Sequence, residues 1–470
     1  MGEWVSSALG DIVTLKRGYD LPSKEREEGP YPIVSSSGVS GCHNAAKVKG
    51  PGVVTGRYGT LGKVHFITTD YWPLNTTLYV QDFKGNDPRF IAYFLCSINF
   101  SAFSDKSSVP GVNRNHLHAA SVFIPGEVSE QRAIADVLAS LDDKIELNRR
   151  TNRALEGMAR AIFKAWFIDF EPVKAKAGGA ASFPGMPQDV FDQLPANLID
   201  TELGPVPLGW RLGSLGEVME HPRRSADPAS IDPDTAYIGL EHMPRQSIAL
   251  SDWGNAGSVT SNKHRFLRGE FLFGKLRPYF HKVGIAPVDG VCSTDVVVVR
   301  PLASEWSAFV LCHISSDAFV TYTSSASTGT KMPRTNWNDM SRFAVVLPPR
   351  ELAEAFSAIV EINFQSLISA IHESRVLAAL RDTLLPKLIS GEVRVDTNGE
   401  RNHGGQHDRH GHFASRLQGT TGNASRLPSN PRAGPGIGRG HAGSSRYGRL
   451  PLQEHHRDNL QDDPHSTLCV

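Results

Sequence analysis

The chain has 470 residues, with 49 Lys plus Arg against 49 Asp plus Glu; it is long enough for two or three domains, and without a global charge any nucleic-acid contact must come from local basic patches. Its start, MGEWVSSALGDIV, has no basic segment leading into an apolar run, and no window of about 18 apolar residues follows, so a cytoplasmic protein without a membrane span is expected. Cys42, Cys96, Cys292, Cys312 and Cys469 are scattered, odd in number and lack a C-x-x-C pair, which suggests neither a disulfide framework nor a cysteine zinc site.

Residues 1–128 carry short apolar or alternating runs such as PGVVTG and TTLYVQDF, cut by Gly and Pro at close spacing, and read as a mixed domain with substantial sheet. This domain offers Lys47, Lys49, Arg57 and Lys63 with no acid in that span, Tyr58 beside Arg57, and the run Asn113, Arg114, Asn115. From Ser129 the period changes. Ile134, Leu138, Leu141, Ile145, Asn148, Asn152, Leu155, Ala159, Ile162 and Trp166 step by three and four residues, the apolar seam of a coiled coil, over a helix expected at 129–171. Asn on such a seam lowers stability but fixes register and partner, so Asn148 and Asn152 are expected to align this helix with another; the alternative is that they face solvent where pairing is loose.

Residues 172–205, rich in Ala, Gly and Pro, read as an irregular linker into a second mixed domain at 206–350, where DVVVVRP is a strand run. Here Lys263, Arg265, Arg268, Lys275, Arg277 and Lys282 face only Glu270, with Tyr279 and His281 among them, and Lys331, Arg334 and Asn336 follow. Residues 351–395 keep the seam more weakly through Phe356, Val360, Asn363, Leu367, Ala370, Leu377, Leu384 and Leu388. The tail, 396–470, is dominated by Gly, His, Arg, Asn, Pro and Ser and is expected to be disordered; its His403, His407, His410 and His412 lack the cysteines or supporting shell of a metal site.

The chain states this pattern twice. WVSSALGDIVTLKRG from Trp4 matches WRLGSLGEVMEHPRR from Trp210, FLCSINFSAF matches VLCHISSDAF, and VFIPGEVSEQRAIADVLASL matches VVLPPRELAEAFSAIVEINF, with Pro125 against Pro348. FKAWFIDFEPV likewise matches PKLISGEVRV. A duplicated domain plus helix follows. A helix of roughly 40 residues extends about 60 Å, and two such helices bury both seams most simply when packed antiparallel. The expected fold class is therefore α+β: two similar mixed α/β domains separated by two long antiparallel coiled-coil helices, with a pseudo-two-fold internal repeat. Such an object suits a target with two separated half-sites.

In this order, GRYGTLGKV, SEQRAIADVLASLDDKIELNRRTNRALEGMARAIFKAWFIDFEPV, FLFGKLRPYFHKV, STDVVVVRP, TGTKMPRTNW and LLPKLISGEV resemble the specificity subunits of type I restriction-modification systems over about residues 1–395. The resemblance implies a non-catalytic subunit whose two target-recognition domains read a bipartite double-stranded DNA sequence. It also implies two modification (methyltransferase) subunits that use S-adenosylmethionine, and restriction subunits that use ATP and Mg2+, with no cofactor on this chain. Past GEVRV the sequence departs from the family pattern.

The residues agree with a subunit that does no chemistry. No Asp- or Asn-Pro-Pro-aromatic run of an adenine methyltransferase occurs, and GEFLFGKL has Leu276 where a P-loop needs Ser or Thr. STGTK, at 327–331, holds a hydroxyl and a lysine but no evident general base. Arg can pair bidentately with guanine and Asn with adenine, so Arg57, Asn113, Arg114, Asn115, Arg277, Lys331, Arg334 and Asn336 are expected nearest to bases. Lys47, Lys49, Tyr58, Lys63, Lys263, Arg265, Lys275, Tyr279 and Lys282 complete the expected DNA-binding set. Two other classes stay open: a fused enzyme, which would need a cofactor motif outside the repeat, and an orphan DNA-binding or coiled-coil adaptor without functional partner subunits.

Overall fold

The computed structural model describes residues 3–103, 111–329 and 331–395, and the backbone of Leu417–Gly419. The chain divides into two units, Met1–Asp142 with Leu380–Val470, and Asp143–Ala379. Apart from Leu417–Gly419, paired antiparallel with Val393–Val395, the expected tail, with His403, His407, His410 and His412, lies outside the described residues.

In the first unit the run PGVVTG becomes the strand Gly52–Gly56, which lies between Thr77–Asp82 and Val64–Ile67, with Thr14–Arg17 completing a four-stranded antiparallel sheet. Alternation decides which core each side chain joins. Val53, Val64, Leu78 and Val80 pack with Phe90, Ile91 and Phe94 of the helix Pro88–Cys96, while Val54, Ile67 and Tyr79 pack on the other face with Val34 and Tyr71. That helix starts where it does because the Asp87 carboxylate accepts from the Arg89 and Phe90 N–H groups and Pro88 occupies the first turn. Tyr31–Ser35, Gly38–His43 and Trp72–Pro73 form a smaller sheet, its last pair parallel.

The second unit repeats the plan. Its four-stranded sheet runs Met219–Glu220, Val296–Pro301, Phe271–Gly274, Val283–Ile285. Phe271, Phe273, Val297 and Val299 face the large core around Phe309, and Leu272, Val296 and Val298 face a second cluster with Ile238 and Cys292. Ala236–Ile238 pairs parallel with Gly290–Cys292, as Tyr31–Ser35 does with Trp72–Pro73, but within a sheet of five strands rather than three. Trp4–Ala8 pairs antiparallel with Ser121–Pro125, and Arg211–Ser214 with Ala344–Leu347, so each domain starts on the strand that leads into its long helix.

The two mixed α/β domains are linked by long paired helices, Val128–Phe163 and Arg350–Ile389. In the first unit Ile134 and Leu138 share a core with Leu385 and Leu388, and the Arg381 guanidinium meets the Asp142 carboxylate at 2.7 Å. In the second unit the Asn148 amide donates to Glu373 at 2.8 Å and Ser374 at 3.2 Å, while Phe163, Trp166 and Phe167 surround Phe356. Within each unit positions rise along one helix as they fall along the other, so the pairing is antiparallel. Asn148 and Asn152 are buried rather than solvent-facing. Asn148 is satisfied across the seam; the Asn152 side-chain oxygen has no partner among the described residues.

Two details depart from expectation. The first helix leaves α geometry at Phe163 and continues as a π turn, Lys164–Ile168, before Phe170 adopts φ 52°; the widened turn carries Trp166 and Phe167 into the aromatic core. The second helix keeps its course through Pro386, then ends at Gly391 with φ 76°, so Val393–Val395 is a strand and not the last helical turn. There the Arg394 guanidinium covers the Trp4 ring and bonds the buried Glu130, which also accepts from the Trp4 indole N–H, so the end of the second helix closes on the first strand of its own unit.

The linker is not irregular. Glu171–Ala177 and Gln188–Gln193 are helices and Leu198–Thr201 with Gly204–Pro207 is a hairpin. Val173, Met186, Phe191 and Leu194 bury against Phe167, Phe170 and Trp210. Its apolar residues are too few to show a period, yet these four find places in the aromatic core, while Ile199 and Leu203 stay exposed.

Candidate nucleic-acid interface

In the first unit the strand Gly52–Gly56 ends in a turn that admits no side chain at its last residue: a Cβ on Gly56 would lie 1.8 Å from the Thr60 carbonyl oxygen. The turn holds Arg57 by its backbone, whose N–H donates to Thr76 O at 2.9 Å and whose carbonyl accepts from Val112 N–H at 3.0 Å. The Arg57 guanidinium then stacks on the Tyr58 ring, 4.6 Å from its centroid. Tyr58 itself rests on Gly111, where a Cβ would approach the ring to 2.4 Å. Asn113 caps the short helix Arg114–His118 by accepting from the Asn115 N–H.

These local devices produce a cleft of about 430 Å³ lined by Arg17, Arg57, Tyr58, Asn113, Arg114 and Asn115. Five of the expected residues thus come together, although they are far apart in sequence. Lys47, Lys49 and Lys63 are not among the lining residues: the Lys47 ammonium lies 4.8 Å from the Trp72 ring, Lys49 is exposed beside the turn at Gly50, and Lys63 is half-buried at the start of the strand Val64–Ile67. Below the cleft, His118 accepts the Leu15 N–H at 2.9 Å. Burial, then the charges of Arg114 and Lys84, hold that imidazole below its ordinary range and favour the neutral acceptor.

The second unit rebuilds the same frame from different residues. Lys275 donates its backbone N–H to Asp295 O at 2.9 Å and accepts from Thr335 N–H at 3.1 Å, which puts it where Arg57 stands in the first unit. Asn336 caps Trp337–Ser341 as Asn113 caps its helix, accepting from Asp339 N–H at 3.1 Å. The loop then extends further. Arg277, at φ 51°, donates its N–H to Pro333 O at 2.8 Å, and its guanidinium reaches Lys331 O at 3.4 Å. Tyr279 and Lys331 are exposed at this edge. Arg334 is held by Asp295 at 3.0 Å, and the Asn336 amide by Asp339 at 2.6 Å.

Two expected DNA contacts point inward. Lys263 is 8% exposed, and its ammonium donates to Ser261 O and Oγ. Lys282 is half-buried and donates to Leu240 O at 2.6 Å; burial, then the neighbouring Arg245 charge, push its ammonium down from the usual lysine range. The density of cations along the run 262–282 does not tell which are buried, and neither does strand alternation: Arg265, two positions from Lys263 on the same strand, is exposed.

The residue reading missed Arg17 and a basic-aromatic group in the second unit. There the His221 ring lies 5.7 Å from both His264 and Trp337. Burial holds both imidazoles below their ordinary range, and Lys275 and Arg223 push in the same direction. The signal was present in the repeat, which sets Arg17 against Arg223 without a gap. Among the described residues no group of three or more His, Cys, Asp or Glu could hold a metal ion, and no helix is long and apolar enough to cross a membrane.

Residues 1–157 match the family described as the type I restriction modification DNA specificity domain. The HindI specificity subunit of Haemophilus influenzae is 24% identical over 357 residues, covering 65% of this chain and 77% of that protein. The EcoDI specificity subunit of Escherichia coli is 23% identical over 422 residues, covering 85% and 90%. The chain is similar to the specificity subunits of type I restriction-modification systems. The fold is also similar to the crystal structure of the type I restriction-modification system S subunit from M. genitalium, with a TM-score of 0.51 at 16% identity over 82% of this chain and 96% of that one.

Proposed function

We infer that this chain is the specificity subunit of a type I restriction-modification system: it reads a bipartite double-stranded DNA target, one short block of bases per unit, and serves as the scaffold for two modification (methyltransferase) subunits and for restriction subunits. It performs no catalysis. S-adenosylmethionine, ATP and Mg2+ act on those partner chains. The observation that carries the reading is the repeated frame: in each unit a cation leaves the end of a central sheet strand beside a short helix capped by Asn.

Cations at such a cleft supply phosphate attraction, which sets affinity and salt dependence, while fixed Arg and Asn groups distinguish bases. In the first unit stacking on Tyr58 limits the directions open to the Arg57 guanidinium, which favours bidentate pairing with one base over diffuse charge attraction. The paired helices connect the two readers, and their remaining faces are available to the modification subunits.

Methylation-sensitive long-read sequencing of the source genome, with and without the gene, tests this. Loss of N6-methyladenine at one motif of two short blocks around a fixed gap is expected. Retention of every methylated motif in a strain shown to express functional modification subunits would refute the assignment and favour the orphan adaptor.

A further inference from the structure

We propose that Arg17 and Arg223 are a matched pair of DNA phosphate contacts, one in each unit, that seat the duplex against the repeated frame of each unit. This rests on the reading of each unit as a DNA-binding unit, and adds residues that neither the basic runs nor the motifs single out.

Arg17 ends the strand Thr14–Arg17 and lines the first cleft together with Arg57 and Arg114. Its side chain is 54% exposed, and its one ion pair among the described residues is with Asp20 at 3.9 Å, a carboxylate that is itself 71% exposed. Such a pair is weak and readily exchanged for a phosphate, to which Arg can bond with two N–H groups.

Arg223 occupies the same place in the second copy. Between Trp4 and Arg17, and between Trp210 and Arg223, the matched segments have equal length. The structure keeps that alignment: Leu9 N–H donates to Ala120 O at 2.8 Å and Leu215 N–H to Phe343 O at 3.0 Å, each fixing the start of its segment on the strand before the long helix. Arg223 is exposed, forms no ion pair among the described residues, and lies close enough to His221 and His264 for its charge to act on both, as does that of Lys275, the counterpart of Arg57. Its backbone sits at φ 48°, in the left-handed region that a Cβ disfavours. The neighbouring Arg224 shows what a structural arginine looks like here: both its terminal nitrogens bind the buried Glu270, at 2.7 and 2.8 Å. Arg223 has no such anchor among the described residues.

The test uses the full chain assembled with its modification subunits. Binding is measured from low to high salt on a duplex carrying the motif that the genomic methylation defines, and on a scrambled duplex. Arg17→Gln and Arg223→Gln are each expected to reduce the slope of log K against log salt by about 0.9, and the double variant by about twice that. Arg17→Lys should keep the wild-type slope, and the methylated motif should be unchanged in all variants. An unchanged slope in the Gln variants, with assembly and thermal melting intact, would overturn the proposal. So would a relaxed base preference at one half-site, which would make these residues base readers. Failure of the wild-type complex to prefer its motif over the scrambled duplex would instead remove the functional reading on which the proposal rests.

Discussion

Tyr58 can lie flat against the chain only because residue 111 has no side chain, since a Cβ there would approach the ring to 2.4 Å. Gly111→Ala is therefore expected to push the ring outward, carry Arg57 with it, and weaken recognition at the first half-site about tenfold, equivalent to about 1.4 kcal/mol, with little change in global unfolding. Binding to duplexes altered in one block at a time, with a melting curve beside it, checks this; an unaltered first-block preference would mean that the ring does not position the guanidinium. Arg57, Asn113 and Arg114 were legible in the sequence as residue types suited to bases. Gly111 was not, because its importance lies in what it leaves room for. Lys263 and Lys282 show the converse: a cation is easy to see in a sequence, but its burial depends on packing and on acceptors, Ser261 two residues away for Lys263 and the distant Leu240 O for Lys282.

At the scale of elements, the two seam asparagines make different contributions. The partners of Asn148 are otherwise satisfied, since Ser374 also bonds Ala370 O at 2.7 Å and Glu373 also meets Lys144 at 3.2 Å. Asn152 leaves a buried oxygen unpaired. Asn152→Leu should thus stabilise the chain by about 1 to 2 kcal/mol, and Asn148→Leu by less. Asn148→Leu alone should also loosen register, seen as heterogeneous hydrogen-exchange protection of amides 141–155. Urea unfolding and exchange measurements decide the order; destabilisation by Asn152→Leu would show that its oxygen finds a partner in solution. The seam itself was legible because a period of three and four needs no partner to be seen. Its ends were not: the π turn after Phe163 follows from where Trp166 and Phe167 must go, and the second helix buries Phe364, Ile368 and Ile371 in the core of its own domain, a wider stripe than a two-helix seam requires.

For the molecule as a whole, duplication predicts separable readouts. Arg57→Ala should relax discrimination at one block of the target and leave the other intact, and Arg277→Ala should do the reverse, each by about 1 to 3 kcal/mol. Methylation profiling of cells carrying either variant measures this directly; equal weakening of both blocks would point to phosphate contact or misfolding instead. The sequence by itself determined that there are two copies, that each is a mixed domain followed by a long helix, and that these helices have apolar faces to bury, because repetition and periodicity are properties of the chain alone. Only the tertiary structure decided that the linker is ordered, that the unpatterned group Arg17, Arg57, Tyr58 and Asn113 surrounds one cleft, and that Lys275 stands in for Arg57. Those outcomes depend on which distant backbone groups hydrogen-bond and which side chains find space, and neither is written in the order of residues along one strand.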